Sequence, residues 1–303
     1  MSEAEQEGLS GVVVPVVTPF TEAGEVDEPG LRAQVRRCVA AGVSTVFAGG
    51  SAGSGPLLLD DQWEQVVNIV QEETTGKCDS LVGVIATSTA RALQQIEISK
   101  RLGCKSIVVT PTFYIALQRE DEILAHFQAC REATDQDLVI YNIPGCTGCH
   151  IPVATIRKMT EAGWATAIKE SSGDADYFRK LLAVGAETGV NVLQGNETDI
   201  VWSLQGGAAG IVPVCANYDP AMFVEVYSAI KLGRDAGYAC DAQERINALR
   251  DVLLVGEHNW IAGITYGLKT LGIGSGKPPL PLQMVDDARK ARIEGLKLQG
   301  AVS

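Results

Sequence analysis

A chain of 303 residues and 32.1 kDa, 46% hydrophobic and with a mean hydropathy of +0.10, carries enough apolar surface to bury a sizeable core. A disordered segment or a disulfide-stapled miniprotein is excluded. With 37 acidic against 25 basic residues and a formal charge of -12, no basic stripe is available, so neither nucleic acid nor an anionic membrane is an expected partner.

Residues 1–10 (MSEAEQEGLS) hold acidic residues and no apolar leader core, so the expectation is a cytoplasmic protein. The first apolar run, Gly11–Val17, reads as a buried strand, and Leu31, Val35, Cys38 and Val39 then recur at helical spacing. The second run, Thr45–Ala48, is followed by Trp63, Val66, Val67 and Val70 with the same period. The uncharged stretch 38–59 is too rich in glycine to span a membrane and reads as strand plus loop. Further buried runs follow at Leu81–Ile85, Ser106–Thr110, Leu138–Tyr141, Ala165–Ile168, Val190–Leu193 and Gly210–Val214. The eight runs begin 20 to 36 residues apart, about one βα unit each, which predicts an α/β fold, a closed (β/α)8 TIM barrel. A doubly wound open sheet would want a Gly-x-Gly-x-x-Gly turn after its first strand, and Val16-Val17-Thr18-Pro19-Phe20 is no such turn.

A helix over Pro220–Leu232 completes the barrel domain, 1–232, and residues 233–303 read as a small helical C-terminal extension. Its helices are expected near Ala242–Glu257, Trp260–Leu271 and Asp286–Leu298, with Gly274–Pro281 as the longest loop. The eight cysteines sit in apolar segments and are expected to be reduced and mostly buried. Cys146 and Cys149, with His150 beside them, make one CxxC, but no second pair completes a tetrahedral zinc site. No metal or organic cofactor is expected.

In a barrel of this kind, chemistry is built from the C-terminal ends of the strands. After the second strand, Gly49-Gly50-Ser51-Ala52-Gly53-Ser54-Gly55 can turn backbone N–H groups inward as an anion nest suited to a carboxylate, although glycine-rich turns are common at strand ends. The fifth strand ends in Tyr141, a phenol placed to move protons or simply to pack. The sixth ends in Lys169. An ammonium leaving an apolar strand is desolvated, which frees its neutral amine to attack a carbonyl, unless it reaches solvent or pairs with Glu170. The eighth strand runs into Val212-Pro213-Val214-Cys215 without the glycine loop of a phosphate-binding barrel.

Across nearly its whole length the chain resembles the pyruvate-dependent class I lyases that include dihydrodipicolinate synthase and N-acetylneuraminate lyase. The markers are Pro15-Val16-Val17-Thr18-Pro19-Phe20, Gly50-Ser51-Ala52-Gly53, Val109-Thr110-Pro111, Tyr141-Asn142-Ile143-Pro144 with Thr147-Gly148, and Ile168-Lys169-Glu170. The resemblance implies a homotetramer, or a homodimer, in which Lys169 forms a Schiff base with C2 of pyruvate or another 2-oxo acid. Tyr141 would be the acid/base residue and Ser51 its relay hydroxyl. The loop after Gly50 would hold the carboxylate on the N–H groups of Ser51 and Ala52, and Ile211 would lie against the bound oxo acid.

The chain also departs from the family pattern. Cys146 stands where dihydrodipicolinate synthase has an arginine for the carboxylate of its aldehyde, and a thiol supplies no bidentate cation. Ala52 replaces a second hydroxyl residue, and Ser54 an acidic one. Phe113 occupies the place of a tyrosine that reaches the neighbouring subunit's site, with Tyr114 adjacent as a substitute. The expectation is a Schiff-base lyase or aldolase acting on a 2-keto-3-deoxy acid, with an aldehyde as partner. The alternatives are the dihydrodipicolinate-forming synthase, a dehydratase using the same imine, and a 2-oxo-acid-binding protein without turnover.

Overall fold

In the computed structural model, which describes residues 8–233, 236–256 and 259–298, each apolar run becomes a strand of one closed parallel barrel. The strands are β1 (Gly11–Pro15), β2 (Thr45–Ala48), β3 (Asp79–Val84), β4 (Ser106–Val109), β5 (Asp137–Asn142), β6 (Ala167–Glu170), β7 (Asn191–Gln194) and β8 (Gly210–Ile211). Around them run α1 (Glu28–Ala40), α2 (Asp60–Thr74), α3 (Thr89–Arg101), α4 (Glu120–Glu132), the short α5 (Pro144–Thr147), α6 (Val153–Glu161), α7 (Ala175–Thr188), α8 (Ile200–Gln205) and α9 (Pro220–Lys231). The expected (β/α)8 barrel is borne out. Side chains on Asp27, Ser88, Asp174 and Asp219 accept from the first-turn N–H groups of α1, α3, α7 and α9, so several helices start where a capping residue follows the strand-end loop.

Most strand boundaries shift by one or two residues from the sequence reading, and the changes in the sixth and eighth strands matter at the barrel mouth. The sixth strand begins at Ala167 rather than Ala165 and continues through Glu170, because Lys169 and Glu170 keep pairing with Leu193 and Gln194. Charge ends an apolar run without ending a ladder. The eighth strand shrinks to two residues, since Pro213 has no N–H to contribute.

That short strand leaves β1 and β8 with only the pairs Gly11–Gly210 and Val12–Ile211. A side-chain amide closes the rest of the seam. Buried Asn217 accepts from the N–H of Val17 (2.9 Å) and donates to the carbonyls of Pro15 and Val214 (both 2.9 Å). Gln34 of α1 donates to both the carbonyl and the side-chain oxygen of Asn217.

The core has two layers. Inside the barrel, Val13, Phe47, Leu81, Val108, Val139, Ala167 and Leu193 fill the lumen; outside, residues of the opposite phase pack against the helices. The extension consists of α10 (Ala236–Leu253), α11 (Trp260–Thr270) and α12 (Asp287–Glu294). In α11 eight consecutive residues, Ile261–Leu268, are buried, so this helix is enclosed rather than laid on the surface. The expected division at residue 232 falls one residue past α9. Its outer ends, residues 1 and 303, lie outside the described residues, as do most of the segment 1–10 read for a leader and Glu257, the expected end of the first extension helix. Among the described residues no helix is long and apolar enough to cross a membrane.

Replacing Asn217 with Ala should strand several buried backbone groups, each costing about 1–3 kcal/mol when left unpaired. We expect chemical denaturation to show a loss of at least about 2 kcal/mol; a loss below about 0.5 kcal/mol would mean that the seam closes without it.

Candidate active site

Tyr141 lies opposite Lys169, and Asn142 opposite Glu170, in the β5–β6 ladder. Alternation along a strand then sends the first pair into the lumen and the second out toward the helices. Lys169 is 5% exposed, with its Nζ 3.9 Å from the centre of the Tyr141 ring and 5.0 Å from that of Phe47. The ring faces favour an ammonium but carry no net charge. Among the described residues Lys169 has no carboxylate partner, and burial pulls its pKa down to about 7. A substantial share of the amine is therefore neutral, and nucleophilic, near neutral pH.

Burial pushes the Tyr141 phenol well above its ordinary value, and the hydroxyls of Ser171 and Ser51 partly oppose that rise. At neutral pH the phenol keeps its proton and can give it to a neighbouring oxygen. The pairing of Lys169 with Glu170 considered from sequence does not occur. Glu170 accepts from Asn142 Nδ2 (2.7 Å) and from the N–H of Ser172, while Asn142 Oδ1 accepts from the N–H of Ile151 (3.0 Å). Burial raises the Glu170 carboxyl, and the hydrogen bonds from Ser172 and Asn142 work against that rise.

The glycine loop is packed backbone on backbone. A Cβ on either Gly55 or Gly83 would collide with the Gly49 carbonyl, and one on Gly50 would press on the Phe47 ring at 2.7 Å. The N–H groups of Ser54 and Gly55 turn back onto the carbonyls of Ser51 and Gly50. Among the described residues, those of Ser51 and Ala52 donate to no protein acceptor.

Near the pair opens a cavity of about 230 Å³ that neither Lys169 nor Tyr141 lines; its wall includes Phe113, Cys146 and Ser51, whose hydroxyl lies beside the phenol. Cys146 lies within electrostatic reach of Lys169. The wall also includes Asn259, Trp260 and Ile261 from the start of α11, which sequence reading missed because nothing in a helix N-terminus tells where in the fold it will dock. Ser171, beside the phenol, was missed as well; its position two residues after a strand-end lysine was the available signal. A larger space of about 510 Å³, beside Lys77 and Lys105 at the opposite end of the strands, contains none of these residues.

Of the expected substrate residues only Cys146 lines the cavity; Gly50, Ala52, Ile211 and Tyr114 do not, and Ala52 is buried with the outer set. Ile211 faces outward and belongs to the layer between barrel and helices, whereas Val212, one residue later, packs with the luminal set. The strand is buried on both faces, so its apolar run carried no phase. Tyr114 is 93% exposed, with φ +74°, and within this chain Phe113 lines the cavity instead. Cys149 is buried apart from the wall, and among the described residues no group of three or more His, Cys, Asp or Glu side chains is arranged to hold a metal ion.

Residues 8–297 match the dihydrodipicolinate synthetase family. The chain is 31% identical to a 4-hydroxy-tetrahydrodipicolinate synthase of Thermomicrobium roseum, over 94% of this chain and 92% of that one. It is also 31% identical to an uncharacterized DapA-like lyase of Halobacterium salinarum, over 95% and 92%. Among solved structures, dihydrodipicolinate synthase from Aquifex aeolicus superposes with a TM-score of 0.87 at 25% identity, over 94% of this chain and 96% of that one. The Thermotoga maritima enzyme, at 24% identity and a TM-score of 0.89 over 95% and 97%, shares the fold.

The depressed Lys169 pKa has a direct readout. Labelling of Lys169 by a small amine-directed reagent should rise with pH through a midpoint near 7, because the neutral amine is the reactive form. A midpoint near 10, like that of a solvated lysine, would contradict the desolvated environment described above.

Proposed function

The chain belongs to the dihydrodipicolinate synthetase family and is a class I, pyruvate-dependent lyase; from that premise we propose that it makes or cleaves the C–C bond of a 2-keto-3-deoxy acid through an imine on Lys169. The observation that carries this reading is a buried lysine without a counter-charge, pulled to about 7 and lying 3.9 Å from the ring of Tyr141.

The Lys169 amine adds to C2 of pyruvate, and Tyr141 protonates the oxygen that leaves as water, giving the protonated imine. Loss of a C3 proton turns this cation into a neutral enamine. The enamine C3 bonds to the aldehyde carbon, whose oxygen takes up a proton, and water hydrolyses the imine to restore the amine. No oxidant or reductant enters. The free N–H groups of Ser51 and Ala52 supply the pyruvate carboxylate with donors, and the Ser51 hydroxyl lies beside the phenol as a relay. Val212 takes the luminal place expected of Ile211 against the oxo acid.

Relatives named 4-hydroxy-tetrahydrodipicolinate synthase favour the synthase as the second reading. Against it stands Cys146 in the cavity wall, which offers no cation to an acidic aldehyde. A homotetrameric or homodimeric assembly is part of the proposal, supported by the exposed apolar side chains of Leu57, Leu59, Tyr114 and Ile115. A reducing, cytoplasmic setting belongs with it, supported by eight unpaired thiols.

Borohydride added with pyruvate should irreversibly modify Lys169, and mass spectrometry placing the adduct on another lysine, or finding none, would overturn the mechanism. In the same assay series, Tyr141→Phe should slow turnover by roughly 10²- to 10⁴-fold, the usual range for a positioned acid/base. Light scattering at assay concentration should report a dimer or tetramer; a monomer would remove the assembly from the proposal.

A further inference from the structure

We infer that the aldehyde partner of this enzyme carries an apolar substituent, aryl or branched alkyl, rather than a polyhydroxylated or an acidic one. The inference rests on the imine reading above and concerns the cavity whose wall residues Ser51 and Cys146 reach Tyr141 and Lys169, the space next to the reacting centre that an aldehyde can occupy once pyruvate is on the lysine. Leu57, Ile85, Phe113, Ile143, Trp260 and Ile261 make most of its wall, and among the described residues no charged side chain lines it. Ile85, Phe113 and Ile143 also pack onto the luminal cluster that contains Tyr141, so the apolar surface is continuous with the reacting centre.

The polar groups in the wall are largely committed to the protein itself. The Thr147 hydroxyl meets the carbonyls of Ile143 and Cys149 (both 3.1 Å) and accepts from the Cys149 N–H (3.3 Å). Asn259 Oδ1 caps α11 by accepting from the Ile261 N–H (2.9 Å). The Ser51 hydroxyl serves the phenol. What remains for a ligand is the Ser54 hydroxyl, the Asn259 amide NH₂ and the Cys146 thiol. A sugar-derived aldehyde with several hydroxyls would lose more water contacts than this wall replaces, and each hydroxyl buried without a partner weakens binding. A carboxylate fares worse, since the lysine nitrogen is neutral in the enamine that attacks the aldehyde and Cys146 brings no positive charge. An apolar group loses nothing on entry and gains burial. Size agrees: an apolar cavity of roughly 150 Å³ already accommodates a benzene ring, and this one measures about 230 Å³.

The test uses the full chain with saturating pyruvate and, in turn, benzaldehyde, isobutyraldehyde, D-glyceraldehyde and succinate semialdehyde, measuring kcat/KM for 4-hydroxy-2-oxo acid formation. Borohydride trapping on Lys169 is run on the same preparation. The expected result is trapping together with an apolar-to-glyceraldehyde ratio of at least about 10, within the range that a single pocket contact can discriminate. Trapping with glyceraldehyde or the semialdehyde preferred would overturn the inference and leave the imine reading standing. No trapping would overturn both. Trp260→Asn should lower the ratio at least about tenfold, and an unchanged ratio would overturn the assignment of specificity to this wall. Should that variant fail to fold by circular dichroism, Phe113→Tyr, which adds one hydroxyl to the wall, carries the same expectation of a lowered ratio.

Discussion

One register, Tyr141 against Lys169 and Asn142 against Glu170, does two jobs because a strand has two faces. On the luminal face it lays an ammonium over a phenol ring with no carboxylate in reach; on the outer face it joins the two strands through a buried amide and carboxyl. A slip of one residue would exchange the faces, placing Glu170 in the lumen and Lys169 among the helices. The Asn142–Glu170 hydrogen bond resists that slip at the level where it would do most harm, and the Ile151 N–H holds the other side of the same amide. The reactivity of the lysine thus follows from the placement of its neighbour: the acid adjacent in sequence is kept away from it by geometry.

Desolvation, rather than a specific partner, sets the state of both titrating groups in the lumen. The same burial that lowers the lysine raises the phenol, so near neutral pH the pair can hold a nucleophilic amine and a protonated acid together. A water-filled mouth would bring the two pKa values back toward their ordinary ones. The wall of Phe113, Ile143 and Trp260 therefore bears on protonation as well as on fit.

Much of this was legible in the chain itself. Parallel strands buried on both faces leave recurrent apolar runs, and their spacing reveals the βα units without reference to any other protein. Lys169 and Tyr141 were visible because each is a polar residue ending an apolar run. The same burial hides phase: Ile211, which the family resemblance points to, and Val212, which packs with the luminal set, are both apolar and both buried, so the run itself does not tell them apart. Asn217 was invisible for a different reason. Its importance comes from the two-residue length of β8, and a single amide in a loop carries no periodic signal. The start of α11 was equally silent, since an Asn cap before a Trp describes a helix beginning anywhere.

The origin of the α11 wall has a consequence for how such an enzyme diversifies. Lys169 and Tyr141 stand on strands fixed by the barrel ladder, whereas Asn259, Trp260 and Ile261 arrive from a segment after the last strand and belong to no β–β pairing. Exchange at these three positions leaves the lysine, the phenol and their register where they are. Descendants of one ancestral imine chemistry can therefore explore different aldehydes by drift in a short stretch of the extension, under selection nearly independent of that acting on the barrel.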